Sequence, residues 1–462
     1  MRPTNQIARD RLDTTLSRQA PSSAAVLAKA LNVSVATIHR MLRERGDTIV
    51  RQGATKNTRY ALRRPLRGQM QAFPIYRIDQ TGQGHLIAHL ELTRPQGSLL
   101  NLNNMQWPTD TTHQGWWGGL PYPLYDMRPQ GFLGRHFAHH IASDFSVSEN
   151  PDNWSDDDIV YVLSTRGIDC IGDLIIGNAA YQRWLNTRNI TPSAINENAL
   201  PDQYAQLATN ASDLGNAGSS AGGEFPKFTA YRPLSNSQTP HVLVKYSGAD
   251  ASPPVERWSD LLICEHLALT TLAQHTNINA AKSRILFGQG RTFLEVERFD
   301  RIGEFGRSPV ISLASIDSAF IGSADDNWGT PVTQLVRRGL TTQATIDETL
   351  IIAWFGRLIG NTDMHLGNLS FTFEYNENET ATLKLTPVYD MLPMLYKPLA
   401  GGEVPNKTFT GKLPLPQEQA QWEIAHSTAL LFWLTASQDT RISQGFRDIC
   451  TQNHQQLNAL NL

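Results

Sequence analysis

The sequence predicts an α+β protein: a small basic head of helices, then a larger body mixing strands and helices. Three observations predict it. Residues 6–45 place apolar side chains at helical spacing between Ser and Pro stop signals. Residues 72–105 alternate apolar and polar in short runs (FPIYRI, GHLIAHLEL, GSLLNL) divided by Gly and Pro. Beyond Pro309 the pattern is mostly helical, broken by one pair of strand-like runs, NLSFTFEYN and ATLKLTPVY.

A chain of 462 residues with 40% hydrophobic and 18% charged residues has the composition of a soluble globular protein of several domains. No run approaches the ~18 apolar residues of a membrane span. The opening MRPTNQIARDRLDTT lacks the apolar core of a signal peptide. Cys170, Cys264 and Cys450 are too scattered for a metal cluster or a disulfide framework. A reduced, cytoplasmic protein without a membrane contact is expected. Residues 1–68 hold 14 Lys and Arg against 4 Asp and Glu, whereas the whole chain is slightly acidic at −3. A basic head on an acidic body fits a head that meets a polyanion.

Within that head, residues 6–19 form one helix. Pro21-Ser22-Ser23 ends it and caps AAVLAKAL; Asn32-Val33 turns the chain; Ser34 caps VATIHRMLRERG, which ends at Gly46. Leu27, Leu31, Ile38 and Leu42 share a buried face. The opposite face of the third helix offers Thr37, His39, Arg40 and Arg43 to base edges and phosphates. The next stretch, IVRQGATKNTRYAL, reads as a hairpin with Lys56 and Arg59 near its tip. The unit resembles a bacterial winged helix-turn-helix, which implies binding of double-stranded DNA. RRPLRGQM after it reads as a linker.

In the body, Thr81-Gly82-Gln83-Gly84 is a turn and DDDIVYVLSTRGIDCIGDLIIG is helix, turn and strand. His136, His139 and His140 lack the carboxylate or Cys spacing of a metal site and read as packing or surface residues. Residues 201–222, rich in Asn, Ala, Ser and Gly, read as an exposed mobile loop. The tail from about residue 415 is helical.

Three segments carry chemistry when taken together. GSSAGGEFPKF (residues 218–228) has small residues whose amides can approach phosphate oxygens. HVLVKYS (residues 241–247) sets Lys245 in a strand among apolar neighbours, where an inward lysine must meet an anion. RLIGNTDMHLGNLSF followed by TPVYDMLP places Asp363, His365 and Asn368 within six residues and Asp390 at the end of a second strand. Phosphoryl transfer needs these types: one aspartate to deprotonate the accepting hydroxyl, an asparagine and a second aspartate to hold Mg²⁺ between phosphates.

GNTDMHLGNLSF and PVYDML are similar to the catalytic and magnesium motifs of HipA-like kinases. SSAGGEFPK is similar to their phosphate loop and LEVERFDR (residues 294–301) to their hinge. The resemblance covers about residues 160–400. It implies a bilobed protein-kinase-like fold of the phosphatidylinositol-kinase type, using ATP and Mg²⁺. Growth arrest by serine/threonine phosphorylation, with aminoacyl-tRNA synthetases as substrates, is implied too. Asp363 then is the base, Asn368 and Asp390 the Mg²⁺ ligands, and Lys245 the phosphate partner. His365 supports the loop, and Glu265 is a further candidate partner for Lys245. Ser219, Ser220, Gly222 and Gly223 border the phosphates, and the backbone from Glu297 to Phe299 meets adenine. Ser219 is the implied site of an inactivating autophosphorylation. The expected divisions are 1–68 for the head, 69–300 for a first lobe with the strand-rich part, and 301–462 for a helical lobe; a homodimer would read a two-fold DNA repeat. The sequence departs from the family in its fused head and in Gly223-Glu224-Phe225, which puts an acid and a ring in the phosphate loop. A nucleotide-sensing transcriptional regulator and a magnesium-dependent nuclease remain open as alternatives.

Overall fold

The computed structural model describes residues 3–109, 114–190, 197–212, 225–233, 237–323, 327–375 and 381–460. Its N-terminal part folds for local reasons. Helix α1 spans Pro3–Arg18. The Ser23 hydroxyl accepts the Val26 N–H at 3.3 Å and opens α2 (Ala24–Leu31), which Asn32 ends in a left-handed conformation with φ 52°. Ser34 does the same for Thr37 at 3.2 Å and opens α3 (Val35–Arg45). Leu12, Leu16, Leu27, Leu31, Ile38 and Leu42 close on one another as a separate small core. Strands β1 (Ile49–Gln52) and β2 (Arg59–Leu62) follow as an antiparallel hairpin.

The next layer contains β3 (Phe73–Ile78), β4 (Gly84–Thr93), β5 (Gly97–Leu99), α4 (Leu102–Met105), β6 (Trp116–Trp117), α5 (Gly131–Phe145), α6 (Asp156–Arg166), β7 (Leu174–Ile176) and α7 (Asn178–Thr187). Its five strands run in the order β6-β5-β4-β3-β7, each antiparallel to its neighbours. The stretch expected to be a linker is anchored instead. The Arg64 N–H reaches the Leu92 carbonyl at 2.8 Å and the Arg94 N–H reaches Leu62 at 2.9 Å, so the hairpin continues onto β4. Arg63 pairs with Glu91, Arg64 with Asp157 and Arg67 with Asp158. Three arginines read as generic linker charge are each matched by a carboxylate distant in sequence.

A second sheet holds β8 (Lys227–Tyr231), β9 (His241–Tyr246), β10 (Ser283–Gly288) and β11 (Arg291–Glu297) in the order β10-β11-β9-β8. Helix α8 (Leu200–Ser212) precedes it, and α9 (Pro253–His275) connects β9 to β10. Residues 201–212 of α8 belong to the stretch 201–222 that composition marks as loop. The segment is a helix because Leu200, Tyr204, Ala208 and Ala211 recur at helical spacing and pack on Phe228, Val242 and Val244.

The remainder runs β12 (Arg301–Ile302), β13 (Gly306–Arg307), β14 (Ile311–Ser312), α10 (Leu313–Phe320), α11 (Gly329–Arg337), α12 (Gln343–Leu358), β15 (Ser370–Thr372), β16 (Lys384–Leu385), α13 (Gln419–Gln438) and α14 (Gln444–Asn458). β14, β15 and β16 form a short sheet under the chemical residues. One hydrophobic core joins the five-stranded layer, α9, α12 and α13. No helix among the described residues is long and apolar enough to cross a membrane.

A buried carboxylate ties α9 to α14. Asp260 accepts the Ser443 N–H at 2.7 Å and its hydroxyl at 2.6 Å. Burial pushes its carboxyl up to about 6, against the pull of the Ser443 hydrogen bonds and Arg257. The folded chain therefore holds this proton more tightly than the unfolded chain, whose value is about 3.9. Its contribution to stability falls as pH rises from about 4 to about 6, by roughly 2–3 kcal/mol. The stability of the wild type relative to Asp260→Asn, from urea unfolding, is expected to fall across that window and then level off. A pH-independent difference would contradict the assignment.

Candidate active site

Lys245 sits in the middle of a sheet, with β11 on one side of its strand and β8 on the other. It is 3% exposed. Its ammonium donates to Glu265 of α9 at 2.7 and 2.8 Å and to the Asp390 carboxylate. Burial pulls the lysine's pKa down, but Asp390 and Glu265 overcome that and hold it above its ordinary range. Burial likewise pushes Asp390 up, and the charges of Lys245 and Lys227 more than offset it, bringing the carboxyl to about 2. Lys227 stands directly opposite Lys245 in the β8–β9 register. Two lysines facing each other repel unless anions lie between them.

The facing wall begins where α12 ends. Gly360, at φ 75°, turns the chain out of the helix. Asn361 then binds two loops at once. Its side-chain oxygen accepts the Asp363 N–H at 3.0 Å, and its NH₂ donates to the Asp390 carbonyl at 3.2 Å. The Asn368 amide donates to the Asp363 carbonyl at 2.7 Å, leaving its oxygen for another partner. His365 accepts the Gly367 N–H at 3.1 Å, and its carbonyl takes the Trp328 indole N–H at 3.0 Å. The Tyr389 hydroxyl donates to Gly367 at 3.0 Å. Beneath, Gly356 lets α12 come close: a Cβ there would lie 2.5 Å from the Met364 sulfur. Asp390 itself has φ 54°, a left-handed backbone uncommon outside glycine and frequent at functional positions. The sequence expects it at the end of a strand; it lies beyond β16 instead.

Lys227, Lys245, Asp363, His365, Asn368 and Asp390 line one cavity of about 460 Å³. The carboxylate of Asp363 is on an exposed residue at its mouth. Glu297 and Phe299 do not line it. The Glu297 N–H is taken by the Lys282 carbonyl and its carboxylate by Ser237, while Phe299 packs on Tyr389 at 5.7 Å. Ser219, Ser220, Gly222 and Gly223 lie outside the described residues. In the head, His39, Arg40, Arg43 and Lys56 are exposed, whereas Thr37 and Arg59 are half-buried and Thr37 hydrogen-bonds Ser34. Sequence reasoning missed Lys227 and Asn361. Period-2 alternation across FPKF and HVLVKY would have found the first; GNTD, an Asn two residues before the aspartate, the second.

A mixed helix-and-sheet fold is shared with a chain of the Shewanella oneidensis MR-1 HipA, HipB and operator DNA complex. The TM-score is 0.52 at 14% identity, covering 84% of this chain and 96% of that one. Residues 219–456 match the HipA-like C-terminal domain, and residues 69–185 match the middle domain of YjjJ-like toxins. The chain belongs to the HipA-like toxin family. It is 38% identical over 444 residues to Toxin YjjJ of Escherichia coli (strain K12), covering 95% of each. A likeness to the Helicobacter pylori proinflammatory kinase CtkA, with a TM-score of 0.36 and 10% identity over 51% of this chain and 92% of that one, is too slight to bear on the fold.

Proposed function

We propose that this toxin is an ATP-dependent serine/threonine protein kinase whose fused head is a winged helix-turn-helix that binds duplex DNA. One observation carries the first part: Lys245, paired with Glu265, meets Asp390 in the same cavity as Asp363 and Asn368. The residues fit the nucleotide and its metal. Mg²⁺ is usually held by one or two protein oxygens together with substrate phosphates, and Asn368 and Asp390 supply that set. The cavity volume is in the range of small-ligand sites. Bound Mg²⁺ would neutralise charge on the β- and γ-phosphates. Asp363 would take the proton of the accepting hydroxyl, and Lys245 and Lys227 would hold phosphate oxygens. The protein acceptor would be translation-related, of the aminoacyl-tRNA synthetase kind. Ser219 would be the self-modified position, since a phosphoserine in the phosphate loop would compete with the phosphates of ATP for the same donors. Mg²⁺-dependent binding of ATP, measured by calorimetry and lost in Asp390→Asn, tests the nucleotide assignment; binding of ATP that ignores both magnesium and Asp390 would remove it.

The head reading rests on three helices, two of them capped by serines, a hairpin and the exposed row of His39, Arg40 and Arg43. Duplex DNA is expected to bind the full-length chain with an affinity that falls steeply with salt, as counterions are released. Arg40→Ala and Arg43→Ala are each expected to weaken binding, and to flatten the salt slope by about one where a phosphate contact is lost. Electrophoretic shifts across a salt series measure this. Unchanged slopes in both variants would exclude α3 as the DNA-reading helix.

A further inference from the structure

One wall of the cavity comes from outside the HipA-like C-terminal domain. The segment from Tyr125 to Leu133, in the YjjJ-like middle domain, lines it together with the residues described above. Its basic member is Arg128. The guanidinium lies over the Tyr125 ring, 4.0 Å from ring centroid to Cζ. One end is tied to the Asp156 carboxylate, which the Leu120 N–H steadies at 3.0 Å. Asp156 is the only ion-pair or hydrogen-bond partner of the Arg128 side chain among the described residues, and the Arg128 Nε is buried without one. A guanidinium held flat over a ring and anchored at one end, on a residue that lines the cavity, is arranged for an oxyanion.

The charge balance of the cavity shows why one is needed. Lys245 gives its hydrogen bonds to Glu265 and Asp390. Asp126, which accepts hydrogen bonds from Ser312 and Ser315, lines the cavity together with Asp363 and Asp390. Lys227 is then the one lysine of the lining without an ion-paired carboxylate among the described residues. The middle-domain wall is on the correct side to assist it, because α5, which starts three residues after Arg128, packs against β8, the strand of Lys227. With no acidic residue in its first turn, α5 adds the positive end of its dipole to the same field.

We propose that Arg128 is a specificity residue for the terminal phosphate of the nucleotide, supplied by the middle domain. This rests on the nucleotide reading above. It makes the middle domain part of the active site, so that the nucleotide bridges two domains, with Arg128 recognising the phosphate that ATP has and ADP lacks.

Calorimetry with the full-length protein and Mg²⁺ tests it, using ADP and the β,γ-imido analogue of ATP as probes. Arg128→Ala is expected to weaken the ATP analogue by about tenfold or more, the loss of one charge-assisted contact, and to leave ADP nearly unchanged. Arg128→Lys is expected to restore part of the difference, because the charge remains and the fork is lost; it also supplies the comparison if the alanine variant does not fold. A structural role would move both nucleotides together. Equal losses for the two probes, or none, in a wild type that binds both would overturn the inference alone. A wild type that binds neither probe would instead overturn the nucleotide reading beneath it.

Discussion

Asp363→Asn is expected to lower phosphoryl transfer by about 10²- to 10⁴-fold, the usual contribution of a general base, while leaving nucleotide binding close to wild type. The geometry separates the two effects. The Asp363 side chain has no hydrogen-bond partner among the described residues; its backbone is what Asn361 and Asn368 hold. Replacing the carboxylate by an amide therefore removes a proton acceptor without unpicking the turn. Asp390 is different. It is bonded to Lys245 and held down to about 2, so Asp390→Asn removes a charge that both the lysine and a metal would use, and binding is expected to suffer along with transfer. Initial rates and calorimetric affinities for both variants measure the contrast. Equal binding losses in Asp363→Asn and Asp390→Asn would contradict the division of roles.

Lys245→Met is expected to destabilise the fold by about 3–5 kcal/mol and to abolish nucleotide binding. Glu265 is 1% exposed and Lys245 3% exposed, so deleting the ammonium leaves a buried carboxylate with no counter-charge, the situation in which a broken ion pair costs most. Adding Glu265→Gln to Lys245→Met is expected to recover much of the stability, because the remaining amide carries no charge. It is not expected to recover binding, which needs the cation itself. Urea unfolding of the two single variants and the double variant gives the coupling. Additive losses would show that the two side chains do not act as a buried pair.

The chemical turn was legible from sequence because its parts are close in the chain. Asp363, His365 and Asn368 sit within six residues, and hydrogen bonds over two to five residues shape the turn. The head was legible for the same reason, its caps at Ser23 and Ser34 lying three residues from their partners. What depended on distant pairing was harder. The Lys245–Glu265 contact spans 20 residues and was only a weak candidate. The anchoring of Arg64 by Asp157 spans 93 residues, and a run of arginines near Pro and Gly looks the same whether it is tied down or loose. Composition misled at Leu200–Ser212, where polar small residues hid an apolar face. The contribution of Arg128 to the cavity follows from no local pattern. It depends on how the middle domain packs beside β8.

The central claim is that this cavity transfers phosphate from ATP to a protein hydroxyl. The most direct test is incubation of the purified full-length chain with γ-labelled ATP, Mg²⁺, cell extract and duplex DNA. Protein and nucleic acid are then resolved separately, with Asp363→Asn alongside. Label on serine or threonine of protein in the wild-type lane, absent with Asp363→Asn, and intact DNA are expected. Cleaved DNA without labelled protein, or equal labelling by the variant, would contradict the claim.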